Sequence, residues 1–136
     1  MSRYDFKGEV LLCEDNEFIQ FAITSQIAMF GLTVSTAYNG LECVDIVRGR
    51  MQKNEKPFDL IFMDILMPEM DGLEAARALN ALGSKTPIVA LSASDTEDDN
   101  VELQKECRIQ DSLGKPFTLE ELTECLLRYL PHSGGL

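Results

Sequence analysis

LIFMDILMPEMDG, residues 60–72, runs four apolar side chains, Leu60–Met63, straight into a carboxylate, Asp64. A buried strand has no packing reason to end on a charge, which is costly to keep away from water. A strand that delivers a charged group to a site ends in this way. After Asp64 the chain passes Pro68 and turns at Asp71–Gly72 into a stretch with helical spacing.

Three more apolar runs share that character: Val10–Cys13, Leu32–Ala37 and Ile88–Leu91. They are continuous rather than alternating, as expected of strands covered on both faces in a parallel sheet. Helical spacing fills the intervals, over Glu17–Phe30, Leu41–Lys53, Gly72–Leu82 and Thr96–Cys107. Gly31 and Gly83 stand where the first and third of these helices should stop. Asn16 and Asp71 stand where side chains cap helix starts. A weaker strand, Asp111–Gly114, precedes a last helix opened by Thr118 with Glu121 three residues on, the capping-box spacing. Leu119, Leu122, Cys125, Leu126 and Tyr129 should be its core face. The pattern is β-α five times over, which predicts an α/β fold: a doubly wound, five-stranded parallel sheet flanked by five helices.

In such sheets ligands bind outside the carboxyl ends of the strands. There the sequence places Glu14 and Asp15 after the first run, Asp64 after the third, Ser92 after the fourth, and Lys115–Pro116 after the last. Clustered carboxylates repel one another unless a cation joins them. Oxygen ligands without thiol or imidazole select Mg2+, with Mn2+ and Ca2+ as the other candidates. Lys115 and the Ser92 hydroxyl could each hold a phosphoryl oxygen. Asp64 is then the candidate nucleophile, Asp15 a direct metal ligand, and Glu14 a ligand through water. Taken singly, an Asp after a strand is most often a cap and a Lys-Pro a turn. All four strand ends carrying complementary phosphoryl chemistry is a far rarer coincidence.

Totals exclude other classes. With 136 residues, 45% hydrophobic and 26% charged, the composition is that of one soluble globular domain. No run approaches the ~20 apolar residues of a membrane helix, and the start lacks a signal-peptide core, so a cytoplasmic location is expected. A net charge of −11 argues against nucleic acid, whose binding needs clustered Lys and Arg. Cys13, Cys43, Cys107 and Cys125 show no metal-ligand spacing, and the single histidine, His132, lies in the polar end "HSGGL".

"LLCEDN", "DLIFMDILMPEMDG", "ALSAS" and "LGKPF", in this order, resemble the defining motifs of receiver domains of two-component response regulators. The fold of that family is the flavodoxin-like one of the chemotaxis response regulator. The resemblance covers about Glu9 to Leu130, and is strongest to receivers fused to hybrid histidine kinases. It implies a receiver domain over 9–130, an N-terminal lead-in over 1–8 and a flexible tail over 131–136. It further implies that Asp64 is the phosphoacceptor, with Glu14, Asp15, Asp64 and the backbone carbonyl of Leu66 as the Mg2+ site. By the same resemblance Ser92 is the switch hydroxyl, Lys115 the phosphate-contacting lysine, and Lys115–Pro116 a cis peptide. The implied donor is a phosphohistidine on a histidine kinase or a histidine phosphotransfer domain, and the implied output is a shift between two surface states. Such a domain is a signalling device rather than an enzyme, although a parent hybrid kinase would be one.

Two positions depart from the family pattern. Ser112 stands where an aromatic side chain often reports phosphorylation, and Arg108 where a glycine usually precedes the last strand. The competing readings are a receiver-fold interaction module not controlled by phosphorylation, and a flavodoxin-like nucleotide binder or metal-dependent phosphatase. The first normally loses a site residue, and none is lost here. The others lack their glycine-rich loop or D-x-D-G-T sequence. On the first helix, Ile19, Ile23, Ile27 and Phe30 form the expected core stripe. Phe18, Phe21, Ala22 and Met29 form a second apolar stripe, which one sheet does not need. Phe18 and Phe21, with Pro116, are the expected partner surface.

Overall fold

A computed structural model of the chain describes residues 4–65, 67, 70–93 and 105–134. In chain order its elements are β1 (Tyr4–Phe6), β2 (Glu9–Cys13), α1 (Glu17–Ala28), β3 (Thr33–Ala37), α2 (Gly40–Gln52) and β4 (Leu60–Asp64). There follow α3 (Gly72–Leu82), β5 (Ile88–Ala93), β6 (Asp111–Lys115), α4 (Leu119–Tyr129) and β7 (His132–Gly134). The expected helix over 96–107 lies outside the described residues, save that 105–106 are helical.

The expected five-stranded parallel sheet is present, in the order β3-β2-β4-β5-β6. The chain steps from β2 to β3 on one side, then crosses back to place β4 on the other. That reversal opens a crevice outside the carboxyl ends of β2 and β4, the switch point of a doubly wound sheet. Alternate residues along the strands separate two apolar layers. Val10, Leu12, Leu60, Phe62, Leu91 and Leu113 pack with α1 and α4. Leu11, Cys13, Ile61, Met63 and Ala90 pack with α2 and α3. β4 is buried along its whole length, whereas β3, at the sheet edge, is fully buried only at Ala37. Its polar residues suit an edge rather than the two-sided cover expected of it.

Helix starts follow their capping chemistry. Asn16 accepts from the Ile19 N–H, and Asn39 caps α2 through Glu42. Asp71 with Glu74, and Thr118 with Glu121, form reciprocal capping boxes. Gly83 closes α3 at φ +91°, a left-handed conformation that glycine adopts at no steric cost.

Three expectations need correction. On α1, Ile23, Ile27 and Phe30 are buried, but Ile19 is 36% exposed, and Gln20, 8% exposed, turns toward the sheet in its place. The stripe holds from Ile23 onward, and only its first position passes to Gln20, whose amide finds backbone acceptors there. Leu119, in the first turn of α4, is exposed rather than core. Residues 4–6 and 132–134 are not a loose lead-in and tail: β1 and β7 pair antiparallel, with Phe6 opposite His132. Phe6 is buried against Phe30, ring centroids 5.5 Å apart, and the His132 ring lies 5.7 and 5.6 Å from those of Tyr4 and Phe6. Aromatic burial anchors the ribbon where composition alone suggests a free end.

Candidate functional site

Strand phase brings the site together. Glu14 continues the alternation of Val10 and Leu12, Asp64 that of Leu60 and Phe62, and Lys115 that of Leu113. All three therefore emerge on the α1–α4 side at the carboxyl edge of the sheet. Lys115, 101 residues from Glu14 and 51 from Asp64, reaches both. Its Nζ lies 2.9 Å from Glu14 Oε1 and 3.2 Å from Asp64 Oδ2. Ser92 occupies the opposite phase, half-buried at the end of β5, where its backbone pairs with Gly114.

Glu14 and Asp64 are both buried, Glu14 to 1% exposure, while Asp15 is exposed at the mouth. Ligand oxygens of Glu14, Asp15 and Asp64 lie within 4.8 Å of one another. Opposite ligands of octahedral Mg2+ are about 4.2 Å apart, so small rotamer changes would let this all-oxygen set fit the ion. Burial chiefly, helped by the charge of Asp64, raises the Glu14 carboxyl above its ordinary range, against the hydrogen bonds from Lys115 and the Asn16 N–H. For Lys115 burial is the largest influence and pulls downward, but the hydrogen bond to Glu14 and the charges of Asp64 and Glu14 outweigh it. The ammonium is thus held charged between carboxylates.

Local backbone supports this arrangement. The Ile65 N–H donates to Leu91 O at 3.0 Å, and Gly72 N–H to Ile65 O at 2.9 Å. A Cβ on Gly72 would overlap the Asp64 carbonyl, so only glycine lets α3 begin so close to the end of β4. Lys115–Pro116 is a cis peptide, and Pro116 is exposed beside the site. Leu66, expected to offer a carbonyl to the metal, lies outside the described residues. Phe18 and Phe21, 86% and 75% exposed, stand on the outer face of α1, which starts three residues after Glu14. Ser112 is exposed on β6, and Arg108 sits at φ +62°, the left-handed conformation a glycine would take there.

Sequence reasoning missed one residue of this neighbourhood. The Gln20 Nε2 donates to Glu14 O at 3.0 Å and to Ala37 O at 3.3 Å, between the ends of β2 and β3. An amide five residues past the acidic pair, in the inward phase of the helix, was the available signal.

Comparison with known proteins adds to the geometry. Residues 10–127 match the family model described as the response regulator receiver domain. The receiver domain of the sensor histidine kinase PA1611 from Pseudomonas aeruginosa PAO1, solved with a magnesium ion coordinated in its active site cleft, is 30% identical. It superposes with a TM-score of 0.77 over 90% of this chain and 97% of that one. A co-crystal structure of Saccharomyces cerevisiae Ypd1, a histidine phosphotransfer protein, with the receiver domain of Ssk1 matches at 29% identity. Its TM-score is 0.78, over 92% of this chain and 90% of that one. Among curated sequences, the transcription factor SKN7 of Chaetomium thermophilum is 34% identical over 94% of this chain but only 16% of its own length. The response regulator MprA of Mycobacterium sp. strain KMS is 32% identical over 83% of this chain and 46% of its own. The chain thus spans less than half the length of either of these curated relatives.

Proposed function

The chain belongs to the response regulator receiver domain family, and on that premise we propose that it accepts a phosphoryl group from a phosphohistidine donor onto Asp64. Receiver domains are signalling domains, and the proposed output is a changed partner-binding surface. The observation that carries the reading is the convergence of Glu14, Asp64 and Lys115 at the switch point, with Asp15 at its mouth.

In the transfer, the P–N bond of the donor breaks and a P–O bond to Asp64 forms. Asp64, in a fixed strand phase, presents its carboxylate to the crevice. Lys115 stands ready to leave one carboxylate for a phosphoryl oxygen, and Ser92 offers a hydroxyl to another. Glu14, Asp15 and Asp64, with the Leu66 carbonyl, would hold Mg2+, which when bound supplies positive charge to the incoming phosphoryl oxygens. Phe18 and Phe21, exposed beside the site, suit docking of a histidine phosphotransfer protein or kinase, with Pro116 on the other rim; apolar anchors ringed by polar residues are the usual hot spots of such contacts. A cytoplasmic setting, either free or within a hybrid kinase, is consistent with the acceptor chemistry. Among the described residues no helix is long and apolar enough to cross a membrane.

The test is labelling by a small acyl phosphate, read by intact-protein mass spectrometry. Wild type should gain one phosphoryl group only with Mg2+ present, and Asp64→Asn should gain none. Labelling of Asp64→Asn at the wild-type rate would put the acceptor elsewhere.

A further inference from the structure

Gln20 is one of three buried polar or charged residues among the described ones, and the other two, Glu14 and Asp64, belong to the site itself. Burying an amide on a helix face otherwise lined by Ile23 and Ile27 is costly unless its hydrogen bonds are made. The Gln20 donors are used on two carbonyls, Glu14 O at 3.0 Å and Ala37 O at 3.3 Å. The same Ala37 carbonyl accepts the Glu14 N–H at 3.0 Å. Glu14 is therefore fixed at its own N–H and at its own C=O, and the Gln20 side chain closes the ring between them.

The carboxylate of Glu14 is held separately, by Lys115 at 2.9 Å and by the Asn16 N–H at 3.1 Å. Of the groups fixing Glu14, Lys115 lies inside the crevice and is shared with Asp64, while Asn16 and Ala37 act through backbone. Among the described residues, Gln20 is the one side chain that pins the Glu14 backbone from outside the crevice. It acts at the point where β2 turns into α1, which sets the direction of both Glu14 and Asp15.

We propose that Gln20 is a positioning residue for the acidic pair, holding the Glu14 carbonyl so that Glu14 and Asp15 face the cation site together. The inference rests on the reading of Glu14, Asp15 and Asp64 as a Mg2+ site and deepens it. Groups that orient metal ligands through hydrogen bonds commonly change metal affinity by an order of magnitude or more when removed.

The experiment is calorimetric titration of the whole chain with MgCl2, beside a urea denaturation curve for each variant. Gln20→Met keeps the volume and removes the donor, and it should weaken Mg2+ binding about tenfold. Ile27→Val, on the same buried face, is the control: it lowers stability but should leave Mg2+ affinity at the wild-type value. Gln20→Glu separates position from charge and guards against a Gln20→Met chain that fails to fold. An added negative charge alone would tighten Mg2+ binding, whereas a carboxylate turned against two carbonyls should weaken it. Wild-type affinity in Gln20→Met, or tighter binding in Gln20→Glu, overturns the positioning role while leaving the metal site standing. Equal weakening in Ile27→Val would overturn it as well, since any loosening of α1 would then suffice. A wild-type chain that takes up no Mg2+ removes the metal reading itself, and the role of Gln20 with it.

Discussion

The two ends of the parallel sheet handle charge in opposite ways. At the amino end, Arg50 forks onto Glu9 at 3.1 and 2.9 Å, lies 3.7 Å over the Phe58 ring and donates to Lys56 O. Asp59 beside it accepts the Glu9 N–H at 2.8 Å. Each group there meets a partner of opposite polarity in fixed geometry. At the carboxyl end, Lys115 is shared between Glu14 and Asp64, with Asp15 open to solvent. The first arrangement is complete as folded. The second carries an excess of negative charge that favours an arriving cation, and one ammonium shared between two carboxylates can be drawn away by a third anion.

The largest expected contrast comes from removing the shared cation. Lys115→Ala takes the ammonium from two buried carboxylates and should cost about 3 kcal/mol in Mg2+-free buffer, with saturating Mg2+ restoring most of it. Urea curves with and without the ion test this, and an equal loss in both would mean that Lys115 is not balancing the acidic cluster. The variant should still label at Asp64, with smaller amide shifts through β5 than wild type.

Next comes the outer face of α1. Phe18→Ala or Phe21→Ala should slow phosphotransfer from the cognate histidine donor by about 1–3 kcal/mol of docking energy. Small-donor labelling and melting temperature should stay near wild type, since both rings are already in water. Equal losses with both donors would tie these rings to the chemistry instead.

A smaller and purely structural effect is expected at the amino end. Arg50→Met should cost about 1–2 kcal/mol, because the pair is partly exposed and screened, and should leave Mg2+ affinity and labelling unchanged. Its pH dependence has a definite sign. The Arg50 hydrogen bond, the largest influence, holds the Glu9 carboxyl below its ordinary value of 4.5. The folded chain then binds that proton more weakly than the unfolded one. The pair's contribution is full above about pH 4.5 and is lost as pH falls through the lower folded value. The gap between wild type and Arg50→Met should therefore be flat near neutrality and narrow in acid. A gap that widened in acid would contradict the pairing.

Smallest of all, Arg108→Gly should stabilise by about 0.5 kcal/mol. Relief of a left-handed side chain slightly exceeds the extra freedom glycine has when unfolded. Thermal denaturation would show whether the sign holds.

The carboxyl end was legible in sequence because Glu14, Asp15, Asp64 and Ser92 follow apolar runs and Lys115 a weaker strand, and strand order in the chain carries each to the edge without knowledge of its neighbours. The β-α alternation and the helix caps at Asn16, Asp71 and Thr118 were legible for similarly local reasons. The amino end was not. Glu9, Arg50 and Phe58 meet only through tertiary packing, and none stands in a position that periodicity marks. β1 and β7 have three residues each, too short for a pattern, and what holds them is one buried ring in each other's company. Gln20 escaped for a subtler reason. A polar residue in a helix reads as outward, and counting cannot see that two strand-end carbonyls await it. Assigning Ile19 to the core was the same mistake seen from the neighbouring position.

The β1–β7 ribbon has a topological consequence. Tyr4 and Gly134 are directly opposite each other, so the described chain is a path whose first and last residues are already neighbours, about 5 Å apart as in any antiparallel pair. A short peptide joining them would close the backbone into a circle with little strain. New ends could then be cut in the exposed polar loop at 53–56, next to neither Asp64 nor Lys115. The order in which the strands are synthesised is, for this fold, separable from the crevice they build.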